Sequence, residues 1–245
     1  MEAAPQLQLG GSSNSGASKS GAKGGFSTNR EIMARARAAL SGNWGMSIIG
    51  NLLVSLLSSA FYLFFLSILL YLYFVVYAVE PNQAMDLIPA QARLAGLPIE
   101  LLSTAVSTAL MLGVCRFYLG IVQENEALLA RLMHGFRRIF AAFFANLLRG
   151  IFIYFWTLLF IIPGIIATYR YAMTFYVLAD DPTAGPLEAI RRSKQMMIGN
   201  KWKLFCLQCR FIGWFLLCLL TLGLGFFWFG PYVQASFAAF YEDVK

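Results

Sequence analysis

The chain has 245 residues, 19 Lys and Arg against 12 Asp and Glu, a net charge of +7, 59% hydrophobic and 13% charged residues, and a mean hydropathy of +0.65. Soluble globular chains carry about 25% charged residues, so a water-soluble domain is excluded and the composition predicts an all-α polytopic membrane protein. One His and four Asp leave little for acid–base or metal chemistry. The expectation is a non-enzymatic protein without cofactor or bound metal.

Residues 1–28 hold a Gly- and Ser-rich stretch with Lys19 and Lys23 and no apolar run. They predict a disordered cytoplasmic tail rather than a signal peptide, ahead of a membrane domain over residues 29–245. Asn29–Leu40 follows as an amphipathic helix. Ile32, Met33, Ala36, Ala39 and Leu40 share one side, Arg30, Arg35 and Arg37 lie elsewhere, and Ser27 or Thr28 stands at the cap.

Crossing a hydrocarbon core of about 30 Å takes about 20 apolar residues. Six segments are predicted to do so. Met46–Val79 is charge-free and would reach about 50 Å as one helix. After a loop over Glu80–Glu100, Pro98 introduces Leu101–Val122. Ile139–Ile162 ends at a turn expected at Pro163-Gly164, and Ile165–Ala179 runs back. Leu204–Phe229 ends at a turn expected at Gly230-Pro231, and Tyr232–Tyr241 is the short sixth; the fourth and sixth are of marginal length, which leaves a re-entrant course or a thinned membrane as alternatives to full crossing. Further amphipathic helices are predicted at Glu126–Met133, with Leu128, Leu129 and Leu132 on one side, and at Pro186–Ile198, opened by Gly185 and Pro186. Short basic helices of this kind lie in the interface plane.

A weak repeat connects the pieces. Leu40-Ser-Gly-Asn-Trp44 is similar to Ile198-Gly-Asn-Lys-Trp202, and His134-Gly135-Phe136 holds the same place in the middle. Each unit reads as interfacial helix, glycine, span, turn, span, giving three helix hairpins. Basic residues gather in the tail, in residues 123–138 and in residues 180–203, whereas residues 80–100 hold only Arg93. The positive-inside rule then puts both termini in the cytoplasm.

Four arginines fall inside spans: Arg116, Arg149, Arg170 and Arg210. An intramembrane Arg costs about 2.5 kcal/mol or more, so it pairs, lines a cavity or snorkels. Arg116 and Arg210, near span ends, are placed to snorkel; Arg149 and Arg170 lie deeper. All four are candidate contacts for an anion or lipid headgroup, the plainer reading being structural bracing plus lipid phosphate. Asp180-Asp181-Pro182 reads as a span end followed by a turn rather than a metal site, and His134 as an interfacial side chain. Cys115, Cys206, Cys209 and Cys218 lie in apolar runs and read as buried packing thiols, the Cys206-x-x-Cys209 pair included. No Walker, zincin, dinucleotide or nucleophile-elbow motif occurs.

The strings Phe160–Ile166, Tyr169–Met173, Leu178–Asp181, Glu188–Ser193, Gly199–Phe205 and Ala239–Asp243 resemble the bacterial integral-membrane family called domain of unknown function 975, and Asn29–Trp44 and Gly113–Phe140 are similar as well. The resemblance implies a multi-pass membrane protein and carries no activity or catalytic residue. The functional expectation is an envelope scaffold or lipid-interacting protein of the cell membrane, whose partners are membrane lipids, anionic ones included, and not nucleic acid. The alternative is a transporter or channel for an anionic or amphipathic solute.

Overall fold

A computed structural model of the chain describes residues 27–79 and 84–245, without the side chains of 69, 72, 73, 75–79, 84–96 and 99. The predicted tail up to residue 26 lies outside the described residues. The described residues are all-helical, and the protein is an all-α polytopic membrane protein. The elements are α1 (Asn29–Leu40), α2 (Trp44–Val79), α3 (Ala84–Glu124), a 3-10 turn (Leu129–Met133), α4 (His134–Arg137), α5 (Ile139–Leu159), α6 (Ile161–Arg170), α7 (Thr174–Asp180), α8 (Pro186–Met196), α9 (Lys201–Leu220) and α10 (Phe226–Val244). Among the described residues five segments are long and apolar enough to cross a membrane: Trp44–Ile68, Glu100–Glu124, Ile139–Leu159, Ile161–Asp180 and Lys201–Leu220.

Three hairpins are present as expected, formed by α2 with α3, α5 with α6, and α9 with α10. The last is antiparallel along its length. Phe215 meets Phe226, Phe211 meets Tyr232, and Lys203 pairs with Asp243. The sixth segment differs from the prediction. Tyr232–Tyr241 is the buried C-terminal half of α10, which runs unbroken through Pro231. The returning segment is therefore the whole of α10, Phe226–Val244, antiparallel to α9. The turn falls instead at residues 221–225. Gly223 N–H bonds to the Cys218 carbonyl and Leu222 N–H to the Leu219 carbonyl, with Leu222 at φ 53°, a Schellman arrangement.

The turn expected at Pro163-Gly164 likewise lies earlier, at extended Phe160. Pro163 occupies the first turn of α6, where a missing N–H leaves nothing unpaired. The loop expected over Glu80–Glu100 is helical from Ala84 onward, in keeping with its Gln-Ala-Arg-Leu-Ala content. In place of an amphipathic helix over Glu126–Met133 the chain is irregular up to Leu128 and forms a 3-10 turn at Leu129–Met133; Leu132 is buried and Leu128 exposed.

The repeat has a structural counterpart. Gly42 follows α1 at φ 89° and Gly199 follows α8 at φ 81°. Each sits in the left-handed region that a Cβ disfavours, and each redirects the chain from amphipathic helix into span. The middle joint works differently. A Cβ on Gly135 would collide with the Ala109 carbonyl, so glycine there serves close approach of α4 to α3.

The amphipathic helices do not rest on a lipid surface by their apolar faces. Thr28 caps α1 in a capping box with Glu31. Ile32, Met33, Ala36 and Leu40 are then buried in the main core with residues of α3, α7, α9 and α10. Ser27 N–H donates to Asp243, and Asn29 donates to the Lys203 carbonyl, so α1 begins beside the C-terminus. In α8, Ile190 packs with Ala167 and Tyr171, against Leu148 and Ile153. Burial inside the bundle removes more apolar area than an interface would. The other surface is apolar and open: Phe140, Leu158, Ile161, Ile162 and Leu220 are each at least 70% exposed, a coat that lipid tails solvate.

Candidate functional site

The structure does not bring the four intramembrane arginines together. Arg149, on α5, lies with its guanidinium 5.2 Å from the centre of the Phe175 ring on α7, a cation–π contact. By helix rise it stands about 16 Å from Arg138 at the foot of the same helix. Arg138 is tied to the carbonyls of Leu178, Asp181 and Ala184. Arg170 closes α6, half-buried, at the break before α7. Exposed Arg210 reaches the Met33 sulfur, at 3.9 Å. Among the described residues none of the four forms an ion pair; every bridge falls elsewhere.

The α6–α7 break sits mid-segment, where free backbone groups are costly. Buried Ser193 of α8 closes it. Its hydroxyl donates to the Arg170 carbonyl at 3.1 Å and accepts the Met173 N–H at 3.2 Å. Asp180 and Asp181 are also structural. Asp180 accepts from Gln123, Tyr241 and Lys245. Asp181 accepts from Thr183 and Arg192, and those bonds hold its carboxyl well below the usual range. Of the cysteines, Cys115 and Cys218 are buried as expected. Cys206 is half-buried and Cys209 exposed on α9, and all four thiols are free.

Arg116 does enter a site. A cavity of about 650 Å³ opens between α3 and the α4 joint, lined by Arg116, Arg131, His134 and Arg137 with apolar Met133 and Phe136. Local folding builds it. Asn125, at φ 55°, stops α3, and the 3-10 turn doubles back so closely that a Cβ on Gly113 would strike the Leu132 carbonyl. Two stretches of sequence thereby place their cations on one cavity.

Arg131 pairs with Glu124 and lies 3.6 Å from Glu126, yet its Nη1 is buried without a hydrogen-bond partner. His134 Nδ1 is buried and unpartnered too. Arg116 and Arg137 have no carboxylate within ion-pair range among the described residues. Burial first, then Arg116, Arg138 and Arg137, push the His134 imidazole below its ordinary value of 6.5, so it is neutral at neutral pH. Two uncompensated guanidiniums and two orphaned polar nitrogens beside apolar walls suit an anionic group at a polar–apolar boundary. In the sequence Arg131 and Arg137 contribute only to charge asymmetry, and His134 reads as an interfacial side chain. The signal was the density of basic residues between Arg131 and Arg138; their convergence on Arg116 needs the fold-back at Asn125. Among the described residues no cluster of three or more His, Cys, Asp or Glu is grouped to hold a metal.

Residues 158–245 match the family model described as protein of unknown function (DUF975). The resemblance carried by the strings from Phe160 to Asp243 is therefore borne out over α6 to α10. No curated protein and no solved structure matches the chain.

Proposed function

We propose that this polytopic membrane protein, with the DUF975 pattern in its C-terminal part, is a non-enzymatic, lipid-interacting protein of the bacterial cell membrane that holds anionic headgroups. The observation carrying this reading is the cavity of Arg116, Arg131, His134 and Arg137, cationic and only partly neutralised. Its basic joint lies on the cytoplasmic side in this reading, as do both termini; the contact of Ser27 with Asp243 supports placing the two ends together. Anionic lipids are drawn to such residues by about 1 kcal/mol per Lys or Arg.

The transporter reading draws on broken helices that offer free backbone groups to a solute. Two observations weigh against it. The chain runs helical through Gly230-Pro231, and Ser193 occupies the backbone groups at the α6–α7 break.

The test is retention of lipid by the full chain in nanodiscs that mix phosphatidylglycerol with phosphatidylcholine. Enrichment of phosphatidylglycerol around the protein is expected, falling roughly thirtyfold in affinity with Arg116→Gln and Arg137→Gln together. Retention indifferent to headgroup charge would overturn the reading.

A further inference from the structure

A separate cavity of about 350 Å³ lies between α1, the start of α2 and the α9–α10 hairpin. Trp44, Trp214, Trp228 and Phe229 form much of its wall, and Arg37 and Tyr232 stand on it as polar groups. The Thr221 hydroxyl on the same wall is already engaged, donating to the Cys218 carbonyl and accepting the Gly225 N–H.

Arg37 is the least expected occupant. The sequence places it on the polar side of a surface helix. Arg37 is exposed, and because α1 lies against α10 it also lines the aromatic cavity. Its Nε donates to the Met33 carbonyl at 3.4 Å within α1. Among the described residues no carboxylate pairs with it; the nearby acid of this region, Asp243, is engaged by Lys203 and Arg35. Arg210 stands on the same side, touching Met33, likewise without a carboxylate. The charges of Arg37 and Arg210 both bear on the Tyr232 hydroxyl, which makes no hydrogen bond among the described residues. Arg37 and the Tyr232 side chain thus stand on one indole-lined space, and Arg210, outside its lining, acts on that hydroxyl through its charge.

We propose that this cavity binds a single-chain lipid carboxylate, its head held by Arg37 and Tyr232 with the charge of Arg210 adding attraction from outside the lining, and its chain lying along Trp44, Trp214 and Trp228. The volume is near the lower limit for ligand pockets, which fits one acyl chain and not the two of a diacyl lipid. The carboxylate supplies an acceptor for the hydroxyl and a counter-charge for guanidiniums that are costly to leave unpaired beside hydrocarbon. This site shares no residue with the cavity around Arg116 and does not rest on its function.

The test is tryptophan fluorescence of the full chain in phosphatidylcholine nanodiscs, titrated with dibrominated stearic acid and, separately, with its uncharged methyl ester. Saturable quenching by the acid is expected, with only linear partition quenching by the ester. Arg37→Gln together with Arg210→Gln is expected to weaken the acid's apparent affinity by about tenfold or more, whereas Arg37→Lys retains most of it. Arg116→Gln with Arg137→Gln is expected to leave the curve unchanged. Equal quenching by acid and ester in the wild-type chain would overturn the proposal even if the variants failed to fold. So would superposable curves for the wild type and the Arg37→Gln, Arg210→Gln protein, or tighter binding of a brominated lysophosphatidate than of the fatty acid.

Discussion

The Ser193 hydroxyl accepts the Met173 amide hydrogen at 3.2 Å, and by this bond a polar helix is fastened to the interior of an apolar one. The same oxygen donates to the Arg170 carbonyl. Ser193→Ala leaves both backbone groups buried and unpaired, at a cost of roughly 1–3 kcal/mol. The expected outcome is a lower thermal midpoint in detergent and faster amide exchange at Met173. A variant as stable as the wild type would show that the break is satisfied by another route.

The two positive-φ joints make matched predictions. Nothing lies within 4 Å of a Cβ built on Gly42 or Gly199, so substitution there acts through the backbone alone. Gly42→Ala and Gly199→Ala should each destabilise by about 1 kcal/mol. Gly45→Ala, in equally open space but inside α2, should be neutral or slightly stabilising because alanine favours helix. Chemical denaturation of the three variants decides it.

Gly135 predicts a different failure. A methyl group there would meet the Ala109 carbonyl, which is backbone and cannot swing aside. Gly135→Ala should cost about 1–3 kcal/mol as overpacking does. It should also distort the Arg116 cavity, so that loss of phosphatidylglycerol enrichment accompanies the loss of stability. The readouts are thermal unfolding and lipid retention on the same sample.

His134 gives the pH dependence. Its folded-state value lies below the ordinary 6.5, so the unfolded chain binds the proton more readily. This contribution to stability is intact above about pH 6.5 and is lost as pH falls below it. An anion in the cavity offsets the neighbouring arginines and favours the imidazolium. Phosphatidylglycerol should therefore protect the fold more at pH 5.5 than at pH 8, and His134→Asn should flatten that difference. Thermal midpoints across pH in the two lipids measure it.

Much of this architecture is legible in the residues because hydrocarbon leaves few choices. Charge-free runs such as Met46–Ile68 become spans, and the Ser-Gly-Asn-Trp and Gly-Asn-Lys-Trp strings mark joints that recur in three dimensions. Turn positions were less legible. Proline reads as a stop, yet Pro163 opens a helix and Pro231 lies inside one, while Phe160 and Leu222 turn the chain with no breaker's side chain. The cationic cavity was half visible. Arg116 stood out as a charge within a span, but its companions are 15 residues or more away in sequence and reach it only because Asn125 adopts a left-handed conformation. Ser193 was invisible, since its hydroxyl acquires a role only where another helix breaks.

The hydrogen bond from Ser27 to Asp243 brings the beginning of α1 to the end of α10, so the helical body forms a nearly closed circuit. A short polar bridge between those points would add almost no strain, and the chain could be reopened at exposed Thr183, beyond the end of α7. Such a circularly permuted protein should assemble the same bundle. Reporters fused at its new ends would then read the surroundings of the α7–α8 connection directly.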